Sequence, residues 1–73
     1  MIDYAMLRGT LAERKVTQDS LADRLGCSRQ SINNKITGKS PFTLRDVTVI
    51  CEAIDATADE RDRIFFAADV KQE

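Results

Sequence analysis

The spacing of apolar residues constrains this chain most, because it follows a helical period throughout and nowhere sustains the alternation of a strand. The main interruptions are Gly9, Gly26, Gly38 and Pro41. Since the chain has 73 residues, there is room for a single domain over residues 1–73 with a thin core. The pattern therefore predicts an all-α fold of five short helices with short connections.

The first three helices are marked by capping residues. The first is predicted over residues 3–14, with Tyr4, Leu7 and Leu11 on one face. Thr17 has the chemistry of an N-cap for the second helix, which stops at Gly26, a residue that accepts left-handed backbone angles. The third helix is predicted from Ser28 to about residue 37. Two short helices joined by a glycine turn are typical of the helix-turn-helix unit, here residues 18–37.

The last two helices begin with capping-box signatures. Thr43 with Asp46 opens the fourth helix, and Thr57 with Glu60 opens the fifth, which is predicted to end near residue 67. An apolar stripe on the fourth helix is predicted to face the core. It consists of Leu44, Val47, Ile50, Cys51 and Ile54.

Charge is distributed unevenly although the net charge is only −1. Residues 24–45 contain five cations and no acid, whereas residues 46–73 contain eight acids and three cations. The local field, rather than the net charge, decides where a polyanion docks. The central segment is therefore the candidate docking region for a polyanion, although an ordinary solvated polar loop would show the same charges.

Residues needed for metal or catalytic sites are scarce. There is no histidine, and Cys27 and Cys51 do not provide the four ligands that a zinc site requires. We interpret the two cysteines as small apolar core residues, and we expect no cofactor and no enzymatic activity. The sequence has no apolar run long enough to span a bilayer, and its first 14 residues are too mixed for a signal peptide, so a cytoplasmic location without membrane or small-molecule partners is expected.

One string of residues carries a specific family resemblance. It runs Thr17-Gln18-x-x-Leu21-Ala22-x-x-Leu25-Gly26-Cys27-Ser28-Arg29-Gln30-x-Ile32. It resembles the Cro/cI-type helix-turn-helix proteins of phages and bacteria, whose common pattern is T-Q-x-x-L-A-x-x-L-G-V-S-R-x-x-I. Cys27 replaces the usual valine, and Lys35 stands where many members have an apolar residue. The resemblance implies a lambda-repressor-like fold that binds double-stranded DNA as a small phage-type, repressor-like transcriptional regulator.

The helical geometry of the third helix suggests which side chains would read DNA bases. If Ile32 points inward, a rotation of 100° per residue directs Gln30 and Asn34 outward, with Ser31 and Asn33 beside them. Amide side chains suit bidentate pairing with adenine in the major groove. Arg29 reaches either a guanine or a phosphate, or else pairs with Asp19 or Asp23. The predicted base contacts are therefore Arg29, Gln30, Ser31, Asn33 and Asn34.

A second set is predicted to contact phosphates, which fix the register without reading sequence. Gln18 opens the second helix, and the resemblance implies that it touches the DNA backbone and braces the recognition helix. The predicted phosphate contacts are Thr17, Gln18, Lys35, Lys39, Ser40 and Thr43.

The C-terminal helix leaves the oligomeric state open. Ile64, Phe65 and Ala68 form one apolar stripe, while Phe66 and Val70 lie on another face. Either the chain leaves the helix after Phe66 and folds back on the first helix, or Phe66 is exposed and, with Val70, contacts a second copy in a homodimer.

Two other functions remain open from the sequence alone. The acidic C-terminal part would suit an antitoxin that holds a basic toxin. A helical protein-interaction module with the same fold would not bind DNA, and the central basic segment argues against it.

Overall fold

The computed structural model describes residues 2–66, which form five α-helices and contain no strand. The helices are α1 Tyr4–Glu13, α2 Gln18–Leu25, α3 Arg29–Ile36, α4 Leu44–Ala53 and α5 Ala58–Phe65. The predicted all-α, five-helix fold is therefore confirmed. Within these residues, no helix combines the length and the apolarity needed to cross a membrane.

The predicted helix starts are confirmed by the capping hydrogen bonds. The hydroxyls of Thr17 and Ser28 each accept a hydrogen bond from the backbone N–H three residues later, at 3.1 Å. Thr43 and Thr57 both form complete capping boxes, in which the carboxylates of Asp46 and Glu60 accept a hydrogen bond from the N–H of the N-cap residue. These bonds satisfy N–H groups that a helix start leaves without an intrahelical partner.

The turn between α2 and α3 depends on Gly26, which has a φ of 69° and caps α2 in the left-handed conformation. Its N–H bonds to carbonyls of the last turn of α2, and the N–H of Cys27 bonds to the carbonyl of Ala22 at 3.0 Å. Only glycine adopts these angles without steric cost, so the helix-turn-helix geometry follows from this position.

The core is built from aliphatic side chains of all five helices. Six of them are almost completely enclosed: Leu7, Leu21, Ile32, Ile50, Ile54 and Ile64. Phe65 closes one end of the core, and its ring meets that of Phe42 edge-on with centroids 5.5 Å apart. Cys27 and Cys51 are free thiols at the margin of this core, as expected for small apolar residues.

Two arginines, one in α1 and one at its C-cap, bind the C-terminal ends of other helices. Arg8 of α1 donates to the carbonyl of Ile36, the last residue of α3, at 3.1 Å. Arg14 donates to the carbonyl of Ile54 at 2.8 Å and also pairs with Glu60 of α5. Carbonyls at a helix C-terminus lack intrahelical donors, so each arginine satisfies one of them and ties α1 to another helix.

Two sequence predictions differ from the structure. Leu44 was predicted to face the core, but its position at the start of α4 leaves it 79% exposed because no other described element packs over it. The fifth helix ends at Phe65, with Phe66 as its C-cap, earlier than predicted.

Candidate nucleic-acid interface

The orientation of α3 follows from two buried isoleucines. Ile32 is fully enclosed and Ile36 is 3% exposed, so the opposite side of this helix faces outward, as the helical geometry predicted. Arg29 and Gln30 are exposed there, while Ser31, Asn33 and Asn34 are partly exposed. The outward side of α3 thus carries a guanidinium, amides and a hydroxyl, and no carboxylate.

Gln30 and Asn34 form a side-chain pair one turn apart. Nε2 of Gln30 donates to Oδ1 of Asn34 at 3.0 Å. Because each amide carries both a donor and an acceptor, this pairing leaves Oε1 of Gln30 as an acceptor and Nδ2 of Asn34 as a donor. The pair therefore presents both kinds of hydrogen-bonding atom on one face.

Arg29 lies beside Asp19 of α2, with its Nε 3.6 Å from the carboxylate. Both side chains are about 70% exposed, at 70% and 72%. An ion pair so long and so exposed stabilises the fold by at most about 1 kcal/mol. Arg29 can consequently exchange Asp19 for an anionic ligand at little cost.

The α2 and α3 helices are linked by Gln18 and Asn33. Nδ2 of Asn33 donates to Oε1 of Gln18 at 3.5 Å, and the two residues share a polar depression with Arg29 and Gln30. Gln18 is the first residue of α2, directly after the N-cap Thr17. The start of α2 and the outward face of α3 therefore form one continuous polar surface.

A second group of predicted contacts lies in the loop between α3 and α4. Lys39 is exposed and Ser40 is partly exposed, and the N–H groups of both donate to the carbonyl of Asn34, at 2.8 Å and 3.1 Å. Thr43 caps α4 at the end of the same loop. These hydrogen bonds fix the loop against the last turn of α3, so Lys39 and Ser40 border the outward face.

Lys35 is held differently from the other predicted phosphate contacts. Its ammonium pairs with the carboxylate of Asp46 on α4, and the two side chains are only 19% and 8% exposed. Burial by itself would raise the pKa of Asp46, but the hydrogen bonds from Lys35 and Thr43 outweigh it and lower this pKa. The ammonium of Lys35 is thus paired with a carboxylate, and the predicted contact of Lys35 with a phosphate would have to compete with Asp46.

Asp46 is the residue of this region whose tertiary role the sequence reasoning missed. It was identified as half of a capping box, which it is, but it also holds Lys35 between α3 and α4. The available signal was Lys35 itself, a charge at a position where the resembled family usually has an apolar residue.

The two predicted dimer contacts lie at the C-terminal end. Phe66 is partly buried and lines a groove along α4, whereas Val70 lies outside the described residues. Phe66 is therefore neither a full core residue nor a fully exposed one.

Comparison with known proteins supports the geometry of the α2–α3 unit. The family model described as helix-turn-helix domain matches residues 5–64, which include all of α2, α3 and α4. No curated protein and no solved structure matches the chain. The matched family is one of DNA-binding domains, for which enzymatic activity is not typical. Because the match covers most of the sequence, the chain belongs to the helix-turn-helix domain family.

Proposed function

We propose that this protein binds double-stranded DNA sequence-specifically, as a repressor-like transcriptional regulator of the phage or prophage type, and that it is not an enzyme. The observation that carries the proposal is the outward face of α3, which has amides, a guanidinium and no carboxylate. It belongs to a helix-turn-helix unit whose second helix is the one that enters the major groove in such motifs.

Base reading is assigned to the exposed side of α3. The free acceptor of Gln30 and the free donor of Asn34 match the donor and acceptor that adenine presents in the major groove. Arg29 would leave Asp19 to reach a guanine edge or a phosphate. Ser31 and Asn33 flank these residues and contribute hydrogen bonds to neighbouring positions.

Phosphate binding is assigned to two groups that border this face. Thr17 and Gln18 lie at the start of α2, where free N–H groups and the helix dipole favour an anion. The second group is Lys39 and Ser40 in the α3–α4 loop and Thr43 at the end of that loop. We propose that these two groups contact the DNA backbone on either side of the groove that α3 enters.

The cellular setting and the assembly are part of the same proposal. A regulator of this kind acts in the cytoplasm, and a homodimer would let two copies read paired half-sites on one DNA. The partly exposed Phe66 supports a homodimer.

The proposal is tested by titrating the protein against the DNA that flanks its own gene and against a scrambled duplex of equal length. We expect tighter binding to the flanking DNA and a log–log salt slope of about −0.9 for each phosphate contact. Binding that is equal on both duplexes would contradict sequence-specific recognition. Affinity that does not change between low and moderate salt would contradict DNA binding altogether and favour a protein-interaction module.

A further inference from the structure

Leu44 is the one large apolar side chain that is strongly exposed among residues 2–66, at 79%. It lies at one end of an open groove between α4 and the end of α5. Partly buried apolar groups of Val47, Cys51 and Phe66 form the floor of this groove. A protruding apolar residue and an apolar groove are thus present on the same helix.

The positions along α4 determine how these features can meet. Leu44, Thr48 and Cys51 are spaced four and three residues apart and follow one face of the helix. At 1.5 Å per residue, Leu44 and Cys51 are about 10 Å apart along the axis. An antiparallel copy of α4 placed on this face would set each Leu44 near the other copy's Cys51.

The charged residues beside this face are also arranged so that opposite charges of two antiparallel copies would meet. Arg45 lies at the N-terminal end of α4, where its Nη1 donates to the carbonyl of Leu25 at 3.4 Å, and Glu52 is exposed seven residues later on the same flank of the helix. Asp55 and Arg61, an acid and a cation, also line this groove. In an antiparallel pair, residues on matching flanks face each other, so Arg45 of each copy would face Glu52 of the other.

We propose that this face of α4 is a homodimer interface, in which two copies pack antiparallel and each inserts Leu44 into the groove of the other. A second copy fits better than an unrelated apolar partner because Leu44 and the groove, and likewise Arg45 and Glu52, are complementary to each other under a twofold rotation. A parallel arrangement would instead place Arg45 of one copy about one heptad away from Glu52 of the other and align like helix dipoles.

This inference rests on the homodimer of the proposed function and names its interface, whereas DNA binding itself does not enter the argument. It differs from the contacts predicted from the sequence, Phe66 and Val70, because Leu44 would be the inserted side chain. Since one pair of short helices buries less than the roughly 800 Å² per partner of a standard interface, the dimer should be weak and concentration-dependent.

The test is sedimentation equilibrium of the full chain without DNA, from about 10 µM to about 1 mM, the range in which a weak dimer dissociates. We expect the average mass to rise toward that of a dimer. Leu44→Glu should weaken association at least tenfold, about 1.4 kcal/mol. It should leave the melting temperature of the monomer almost unchanged, because the side chain is exposed. A chain that stays monomeric throughout, or a Leu44→Glu variant that associates like the wild type, would overturn the proposal.

Charge reversal tests the antiparallel arrangement. Arg45→Glu and Glu52→Arg should each weaken association, and the double variant should restore it because the pair is re-formed with opposite signs. Glu13→Arg is the matched control, since Glu13 is likewise an exposed glutamate near the end of a helix, and it should have no effect. A double variant weaker than either single variant would overturn the arrangement.

The chain's own residues 67–73 are the alternative occupant of the groove, and deleting them distinguishes this occupant from a second copy. Unchanged association of the deletion variant would support a second copy in the groove. A wild-type monomer that associates only after the deletion would assign the groove to the chain's own last residues and overturn the proposal.

Discussion

Lys35 of the helix that faces outward and Asp46 of the next helix form an ion pair that is largely removed from water. The carboxylate of Asp46 also accepts the N–H of Thr43 at 2.9 Å and so completes the capping box of α4. One carboxylate therefore fixes both the start of α4 and the last turn of α3. The candidate recognition helix is positioned by a polar contact as well as by Ile32 and Ile36.

Replacing Asp46 should destabilise the protein strongly. Asp46→Ala leaves the ammonium of Lys35 without its partner and removes the acceptor of the Thr43 N–H. Removing one member of a buried pair together with a capping interaction should lower the free energy of unfolding by about 3 kcal/mol. Urea denaturation followed by circular dichroism measures this change.

Asp59→Ala is the control for that measurement. Asp59 pairs with Arg63 at 3.0 Å, but both side chains are exposed, at 72% and 68%. The loss should therefore be less than about 1 kcal/mol. Equal losses for the two variants would show that the Lys35–Asp46 pair is no more important than a surface pair.

Stability should fall in mild acid because two carboxyl groups have lowered pKa values in the folded protein. The hydrogen bond from Arg14 lowers the pKa of Glu60 below its ordinary 4.5, and the bonds from Lys35 and Thr43 bring that of Asp46 below 3.8. A lowered folded pKa stabilises the protein above the ordinary value, and this stabilisation is lost as the pH falls through the folded value. The free energy of unfolding should thus be steady from pH 7 to about 5 and decrease below about pH 4.5.

Glu60→Gln isolates one of these groups. Urea titrations at several pH values should show a lower stability at pH 7 and a shallower decrease in acid, because the variant has one fewer group to protonate. An acid dependence as steep as that of the wild type would mean that the Arg14–Glu60 pair does not contribute to it.

The local features of the fold were predictable from the sequence because they depend on residues close together in the chain. Thr17, Ser28, Thr43 and Thr57 each act within one helical turn, so their capping roles could be inferred without tertiary information. The orientation of α3 was predictable for the same reason, since a single inward residue, Ile32, sets the direction of all its neighbours.

The remaining features depend on contacts between distant residues. Periodicity placed Leu44 in the apolar stripe of α4, but it cannot show whether another element covers a given turn, and here none of the described ones does. Likewise, the bond from Arg8 to the carbonyl of Ile36 joins residues 28 positions apart. The pairing of Lys35 with Asp46 likewise joins two different helices, so the sequence alone does not reveal it.

Lys39→Ala should weaken DNA binding without changing its specificity, if the proposed function is right. The side chain is exposed on the loop that borders α3, and a phosphate contact carries no information on base identity. Affinity should fall similarly on specific and scrambled duplexes, and the salt slope should decrease by about one. Fluorescence anisotropy titrations at several salt concentrations measure both quantities.

Arg63→Ala provides the matched loss of one positive charge outside the basic segment. Arg63 is an exposed residue of α5 that pairs with Asp59, so its removal should change neither affinity nor slope appreciably. Equal effects of the two substitutions would indicate that only net charge matters and that the α3–α4 loop has no special role.

Gln30→Ala and Asn34→Ala should each relax specificity, and their effects should not be additive. Because Nε2 of Gln30 donates to Oδ1 of Asn34, each side chain fixes the orientation of the other. Removing either should cost about 1–3 kcal/mol on the preferred duplex and less on a scrambled one. The double variant should cost less than the sum of the two, since the first substitution already releases the second side chain. Additive losses would mean that the two amides act as separate contacts, whereas unchanged discrimination in both single variants would show that this face of α3 does not read bases. Thermal melts provide the folding control, because neither side chain belongs to the core.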